Sequence, residues 1–310
     1  MTALPLSPAG RRYGAFPSEP DANDLSFAHV FKHITSPQTV GFWGWLKSLF
    51  HRTPPSPAQY VTPGKVDLRP WTGPVKNQGD LGACTGFAYS GLMELLCRKY
   101  SEQLPKATRN KFNPAKVILS PLFTYWWNRR NDGTIEVQEG RSPAGTELKY
   151  VNVDRGANMR SGMRTLRWQG VCLEKEHPYN PRNFTQKPEV SDCEEALLFR
   201  GGQYCRLFTL DEVKNCLRAG YPVAMGIEIY DSFESAQVAK TGTVPVPNPE
   251  VEQLQGGHAV LCVGFDEKRQ VLIMRNSWGE DWGDGGNFYL PFAFFPHIND
   301  MWTMHLAVQS

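Results

Sequence analysis

The sequence predicts an α+β fold of two lobes, one mainly helical and one a bent or barrel-like sheet, with a cleft between them. Two observations carry that expectation. Helix signals come first along the chain, whereas after Pro222 the pattern changes to short β-rich runs separated by Gly, Asp and Pro turns. No internal repeat or low-complexity tract points to a solenoid or a disordered chain. At 310 residues the chain can bury a full core as one large domain or two coupled halves. The expected division is an extension at 1–62 and a main domain at 63–310, with the helical lobe at about 75–205 and the β lobe at about 206–310.

The extension is Pro-rich at Phe16–Pro20 and Pro54–Pro57, with an aromatic stretch Val40–Leu46 between them. Prolines prevent it from continuing a sheet or a long helix, so it is expected to lie across the surface of the rest, its aromatics covering a groove. The plainer alternative is a flexible tail with one small amphipathic helix. From Cys84 to Tyr100, apolar residues fall at Phe87, Ala88, Gly91, Leu92, Leu95 and Leu96, a three-four spacing that predicts a helix with one buried face. Gly79 and Gly82 hold the turn before it. Segments 121–130 and 158–169 also read as helices, the second stopped by Gly170. Thr209 to Ala219 carries Thr209 as N-cap and Glu212 three residues on, and Gly220-Tyr221-Pro222 ends it. Strands are expected at Val223–Ile229, His258–Phe265, Val271–Arg275 and Asn287–Leu290.

Composition narrows the function classes. Lys+Arg 33 against Asp+Glu 31 gives a formal charge of +2, too balanced to imply a nucleic acid or an anionic membrane as partner. No segment approaches the roughly 18 uninterrupted apolar residues of a membrane span. The N-terminus has no apolar core after its basic pair Arg11-Arg12, so the expected location is the cytoplasm or a non-Sec export route, and the chain is expected to be a monomer. Seven cysteines are scattered without a Cys-x-x-Cys pair, which predicts no metal and no cofactor; most read as small buried hydrophobes, with disulfides among Cys172, Cys193 and Cys205 left open.

Four separated residues carry chemistry. Cys84 opens a helix, where the dipole and unsatisfied N–H groups favour the thiolate. His258, flanked by Gly256 and Gly257, can hold the proton as imidazolium, and Asn276 can orient the ring without adding charge. Trp278 can shield that His-Asn hydrogen bond from water. The Gln78 amide, folded back by Gly79 and Gly82, pairs with the Cys84 N–H as donors for an oxyanion. Together these make the inventory of a cysteine acyl-transfer enzyme.

The run Pro74-Val-Lys-Asn-Gln78-Gly-Asp-Leu-Gly-Ala-Cys84, with Gly257-His258-Ala-Val and Asn276-Ser-Trp278-Gly-Glu-Asp-Trp282-Gly, resembles the papain family of cysteine peptidases, and more narrowly its bacterial branch. The likeness covers roughly 62–295. It implies a helical lobe bearing the nucleophile, a β lobe bearing His and Asn, and endopeptidase action on peptides or proteins through a thioester. Three departures stand out. Thr85 replaces the usual aromatic after the nucleophile, and Leu81 replaces a Cys, which removes the disulfide it would anchor. The intervals from Cys84 to His258 and Asn276 exceed the family's usual spacing of about 130–150, implying insertions at 128–150 and 182–205. By the same likeness Gly156, Ala157, Gly257 and Ala259 are expected to line the substrate site, with an apolar, roomy pocket beside Gly156, Ala157 and Ala259. Residues 1–62 resemble an inhibitory prosegment in position, and Tyr13–Asp21 is similar to a stretch in bacterial members, so the segment is expected over or near the cleft. Two alternatives remain: transfer of the acyl group to an acceptor other than water, as in a deamidase or transglutaminase, and a catalytically silent peptide-binding module.

Overall fold

The computed structural model describes residues 6–31, 64–142, 145–151 and 153–307. The aromatic stretch Val40–Leu46 and the prolines at 54–57 lie outside those residues. Helix α2, Cys84–Lys99, follows the short α1, Phe27–Val30, in chain order. It is buried on nearly every side rather than on the single face its spacing predicts, because it runs between α4 (Pro121–Asn131), α5 (Met159–Trp168) and the long strand β8 (Leu254–Asp266). Even Glu94 is buried there, accepting from Lys76 Nζ at 2.6 Å and from the Leu119 N–H at 2.7 Å. A buried carboxylate survives only with such partners.

The other helices end where their residues dictate. Asn158 caps α5 by accepting from Ser161 N–H, and Gly170 turns the chain at φ 75°. Thr209 and Glu212 form the expected reciprocal cap of α7, Leu210–Arg218. Helices α3 (Lys106–Lys111), α6 (Val190–Ala196) and α8 (Ala236–Thr241) are the others among the described residues.

A seven-stranded sheet forms the β lobe, ordered β10-β9-β8-β7-β11-β6, with β2 (Lys65–Asp67) also pairing β8. Its members are β6 (Gly201–Arg206), β7 (Val223–Tyr230), β8, β9 (Val271–Arg275), β10 (Asn287–Pro291) and β11 (Ile298–Leu306), all antiparallel to their neighbours. The end strands β10 and β6 of this sheet do not pair, so no barrel closes. Because β6 starts at residue 201, the sheet draws on the region expected to be an insertion in the helical lobe. The other expected insertion contains a hairpin, β3 (Glu136–Ser142) with β4 (Gly145–Val151). All seven cysteines are free thiols, so none of the disulfides left open among Cys172, Cys193 and Cys205 forms.

The N-terminal segment ties the lobes together. Strand β1, Ala15–Phe16, pairs in parallel with β5, Ala157–Asn158, on the helical side, and Gly14 bridges Gly257 of β8 on the other. Farther on, Phe27 and Phe31 enter the core, where Phe31 meets the Tyr221 ring at 4.7 Å.

Candidate active site

Helix α2 and strand β8 bring the first two site residues together. Cys84 is the first residue of its helix, capped by Ala83 with no side-chain bond, so the terminal N–H groups are left for the thiol's surroundings. Backbone N–H groups of Ala259, Gly14 and Thr85 face its sulfur, which sets the sulfur against the His258–Ala259 stretch of β8. His258 is fully buried, and its Nε2 donates to Asn276 Oδ1 at 2.9 Å. That bond fixes the tautomer. Nδ1 has no hydrogen-bond partner among the described residues and is the ring atom open to a thiol proton. Asn276 Oδ1 also accepts the Ser277 N–H at 2.8 Å, so the amide cannot turn without losing both. The Trp278 ring stacks on the imidazole at 4.8 Å and 24°, excluding water from the His-Asn bond.

Gln78 is held on four sides. Its Nε2 donates to Leu81 O at 2.9 Å, its Oε1 accepts from Ser277 Oγ at 2.6 Å, its N–H donates to Ser277 O at 2.9 Å, and its C=O accepts from Tyr179 at 2.7 Å. With Oε1 committed to Ser277, the amide faces one way and the second Nε2 hydrogen is available as a donor. Tyr179 lies in no motif, and Ser277, although inside the Asn276–Trp278 run, has no role legible there; their roles depend on contacts 101 and 199 residues apart along the chain.

The expected pocket beside Gly156 and Ala157 is filled by the chain's own N-terminal segment. Gly14 O accepts the Ala157 N–H at 2.8 Å. A Cβ on Gly156 would stand 1.9 Å from Gly14 O, and one on Gly257 would stand 2.1 Å from Ala15 O, so only glycine lets the backbones approach this closely. Tyr13 sits over the imidazole at 5.9 Å and donates to Glu234 Oε1 at 2.5 Å, while Arg11 lies 4.1 Å above the Trp278 ring. Beyond the cleft, Asp24 meets Arg160 at 2.6 Å, and the Ser18 N–H donates to Asp300 at 2.7 Å. Ala259 also borders a cavity of about 40 Å³ behind the site.

This cover opposes the ionisation expected from the helix end. Burial pushes the Cys84 thiol up to about 11, and the N–H groups of Ala259, Gly14 and Thr85 offset only part of it. Burial likewise pulls His258 down to about 4; Asn276 opposes the shift and nearby Arg11 adds to it. In the covered cleft, burial favours the neutral thiol and the neutral imidazole. The thiolate that the helix end favours is thus opposed by a segment that removes the water a charge requires. The segment's register and the anchor at Glu234 have no sequence signal beyond the Tyr13–Asp21 likeness.

Comparison with known proteins bears on the same residues. The model of the papain family of cysteine proteases matches residues 152–293, a span that includes His258 and Asn276. An uncharacterized peptidase C1-like protein, L477, of Acanthamoeba polyphaga mimivirus is 32% identical over 240 residues, covering 74% of this chain and 68% of that protein. The oryzain gamma chain of Oryza sativa subsp. japonica is 26% identical over 217 residues, and there the chain spans about half the relative, 51% of its length. Among solved structures, xylellain, a cysteine protease from Xylella fastidiosa, superposes with a TM-score of 0.70 at 27% identity, covering 95% of this chain and 96% of that one.

Proposed function

This chain belongs to the papain family of cysteine proteases, and on that premise we propose that it is a cysteine endopeptidase acting through Cys84, His258, Asn276 and Gln78. His258 Nδ1 takes the thiol proton, and the sulfur attacks the peptide carbonyl. Charge then develops on the carbonyl oxygen, where the Gln78 Nε2–H and the Cys84 N–H can meet it. His258 returns its proton to the leaving amine, leaving a thioester on Cys84. Water attacks that thioester with His258 as base, the acid product leaves, and the thiol is restored. Throughout, the Nε2–H bond to Asn276 keeps Nδ1 towards the sulfur.

The observation that carries the reading is the imidazole bonded to Asn276 through Nε2 at 2.9 Å, stacked under Trp278, with Nδ1 unpartnered among the described residues beside the Cys84 helix end. The segment from Arg11 to Ser18 acts as an intramolecular inhibitor: its backbone fills the cleft and its burial of the thiol suppresses the thiolate. Placement in a bacterial branch rests on the likeness to xylellain.

Peptide hydrolysis by the chain opened with Gly14→Val, whose side chain would overlap Gly82 O, compared with the same chain also carrying Cys84→Ala, tests the reading. The variant is expected to lose at least about 10⁴-fold in kcat, as for removal of a nucleophile elsewhere. Equal turnover by the two proteins overturns it. Product analysis with added amine separates hydrolysis from acyl transfer, since free acid alone is expected.

A further inference from the structure

The loop that carries Gln78 and leads into Cys84 has no covalent tie, since Leu81 stands where the family pattern has a Cys and every cysteine is a free thiol. A carboxylate ties it instead. Asp154, 5% exposed, accepts the Gly82 N–H through Oδ2 at 2.9 Å and the Tyr125 O–H through Oδ1 at 2.5 Å. The Tyr125 oxygen in turn accepts the Gly156 N–H at 3.1 Å. One carboxylate and one phenol thus join three segments: the turn before the nucleophile, helix α4 and the wall at Gly156–Ala157. The Arg129 guanidinium lies 4.3 Å over the Tyr125 ring, and Arg12 of the covering segment comes within 3.8 Å of Asp154 Oδ2.

Gly82 lies two residues before Cys84, so the direction in which its N–H is pulled helps to set the peptide planes that aim the Cys84 N–H. The same turn supplies Leu81 O, the acceptor that holds Gln78 Nε2. Both oxyanion donors therefore hang on the segment that Asp154 grips. A charged acceptor on a buried N–H gives a shorter and stronger bond than a neutral one, which suits it to replace a covalent tie.

We propose that Asp154, acting with Tyr125, is a positioning residue for the oxyanion donors, an inference that rests on the reading of Cys84 as nucleophile. It touches no substrate atom. Its effect falls on the transition state, where misplacing a donor by about an ångström costs on the order of 100-fold. The imidazole is held by β8 and Asn276, and the Asp154 charge adds to the upward shift of the Cys84 thiol, so removing that charge is not expected to slow the thiol's own reactions.

The test uses the full chain carrying Gly14→Val, which displaces the covering segment by steric overlap with Gly82 O. In that parent, Asp154→Ala is expected to lower kcat for a peptide by about 10- to 100-fold with KM within about threefold. The rate of Cys84 alkylation by iodoacetamide, followed against pH, is expected to be no lower than the parent's, any movement of its profile being towards lower pH as the Asp154 charge is lost. Asp154→Asn, which keeps one acceptor, and Tyr125→Phe are expected to fall between, and both carry the test if thermal unfolding shows that Asp154→Ala has lost its fold. A kcat within twofold of the parent in the folded variants overturns the inference, and so does an equal fall in alkylation rate. A parent that fails either to hydrolyse peptide or to be alkylated at Cys84 overturns the underlying reading and the inference with it.

Discussion

Replacing Gly14 by Val in the full-length chain is expected to open the cleft without replacing any residue of the site. A Cβ at position 14 would stand 2.2 Å from Gly82 O and 2.9 Å from Gly156 Cα, both backbone atoms that cannot swing aside. The segment must lift by about an ångström, which breaks the 2.8 Å bond from the Ala157 N–H to Gly14 O. Overpacking of this kind costs about 1–3 kcal/mol and the lost hydrogen bond about 1 kcal/mol. A shift of about 2–4 kcal/mol raises the open population by roughly 30- to 1000-fold, at 1.4 kcal/mol per tenfold. The assay is the initial rate of hydrolysis of a fluorogenic peptide at pH 7 by wild type and variant. A rise of at least about 30-fold is expected. If Gly14→Val hydrolyses the peptide at the wild-type rate, residues 11–18 do not control access to Cys84.

Other perturbations probe the same account. Tyr13→Phe removes the bond to Glu234, a charged acceptor, and is expected to speed hydrolysis by the full chain about tenfold; no change would assign the anchoring to the Tyr13 ring alone. Acid should loosen the cover, because His258 is held at about 4 against an ordinary 6.5. A depressed group of this kind contributes stability above 6.5 that is lost as pH falls through 4, here about 3 kcal/mol. Amide exchange at residues 12–18, corrected for its intrinsic pH dependence, should accelerate between pH 6.5 and 4, and a flat corrected profile contradicts the assignment. The thiol, raised from 9.0 to about 11, adds stability that is present below 9 and lost as pH climbs through 11. Asn276→Ala leaves the imidazole Nε2–H without its acceptor and frees the ring. A fall of roughly 10- to 100-fold in kcat is expected with a displaced pH-rate profile, and an unshifted profile would show that Trp278 alone holds the ring.

Much of the site could be read from the sequence because its signals are local. Gln78, the glycine turn and Cys84 lie within seven residues, and helix α2 begins at the thiol as its spacing predicts. Strand β9 was bounded at both ends by turn residues and occupies the expected 271–275. Other elements depend on partners far away. Gly201-Gly-Gln-Tyr-Cys-Arg206 shows no clean alternation, and becomes a strand because β11, about 100 residues later, offers it an edge. The burial of Glu94 was equally hidden, since Lys76 and the Leu119 N–H that compensate it arrive from separate loops. The protonation of Cys84 depends on the same kind of distant contact: a helix end favours the thiolate, but a segment 70 residues upstream removes the solvent that the charge requires.

The most direct measurement is peptide mapping of the full-length protein after exposure to a peptidyl electrophile, with and without Gly14→Val. One equivalent of label is expected on Cys84 among the seven cysteines, fast in the opened chain, slow in the wild type, and lost when His258 is replaced by Ala. Label on another cysteine, or labelling of Cys84 that is indifferent to His258, would contradict the pairing on which the account stands.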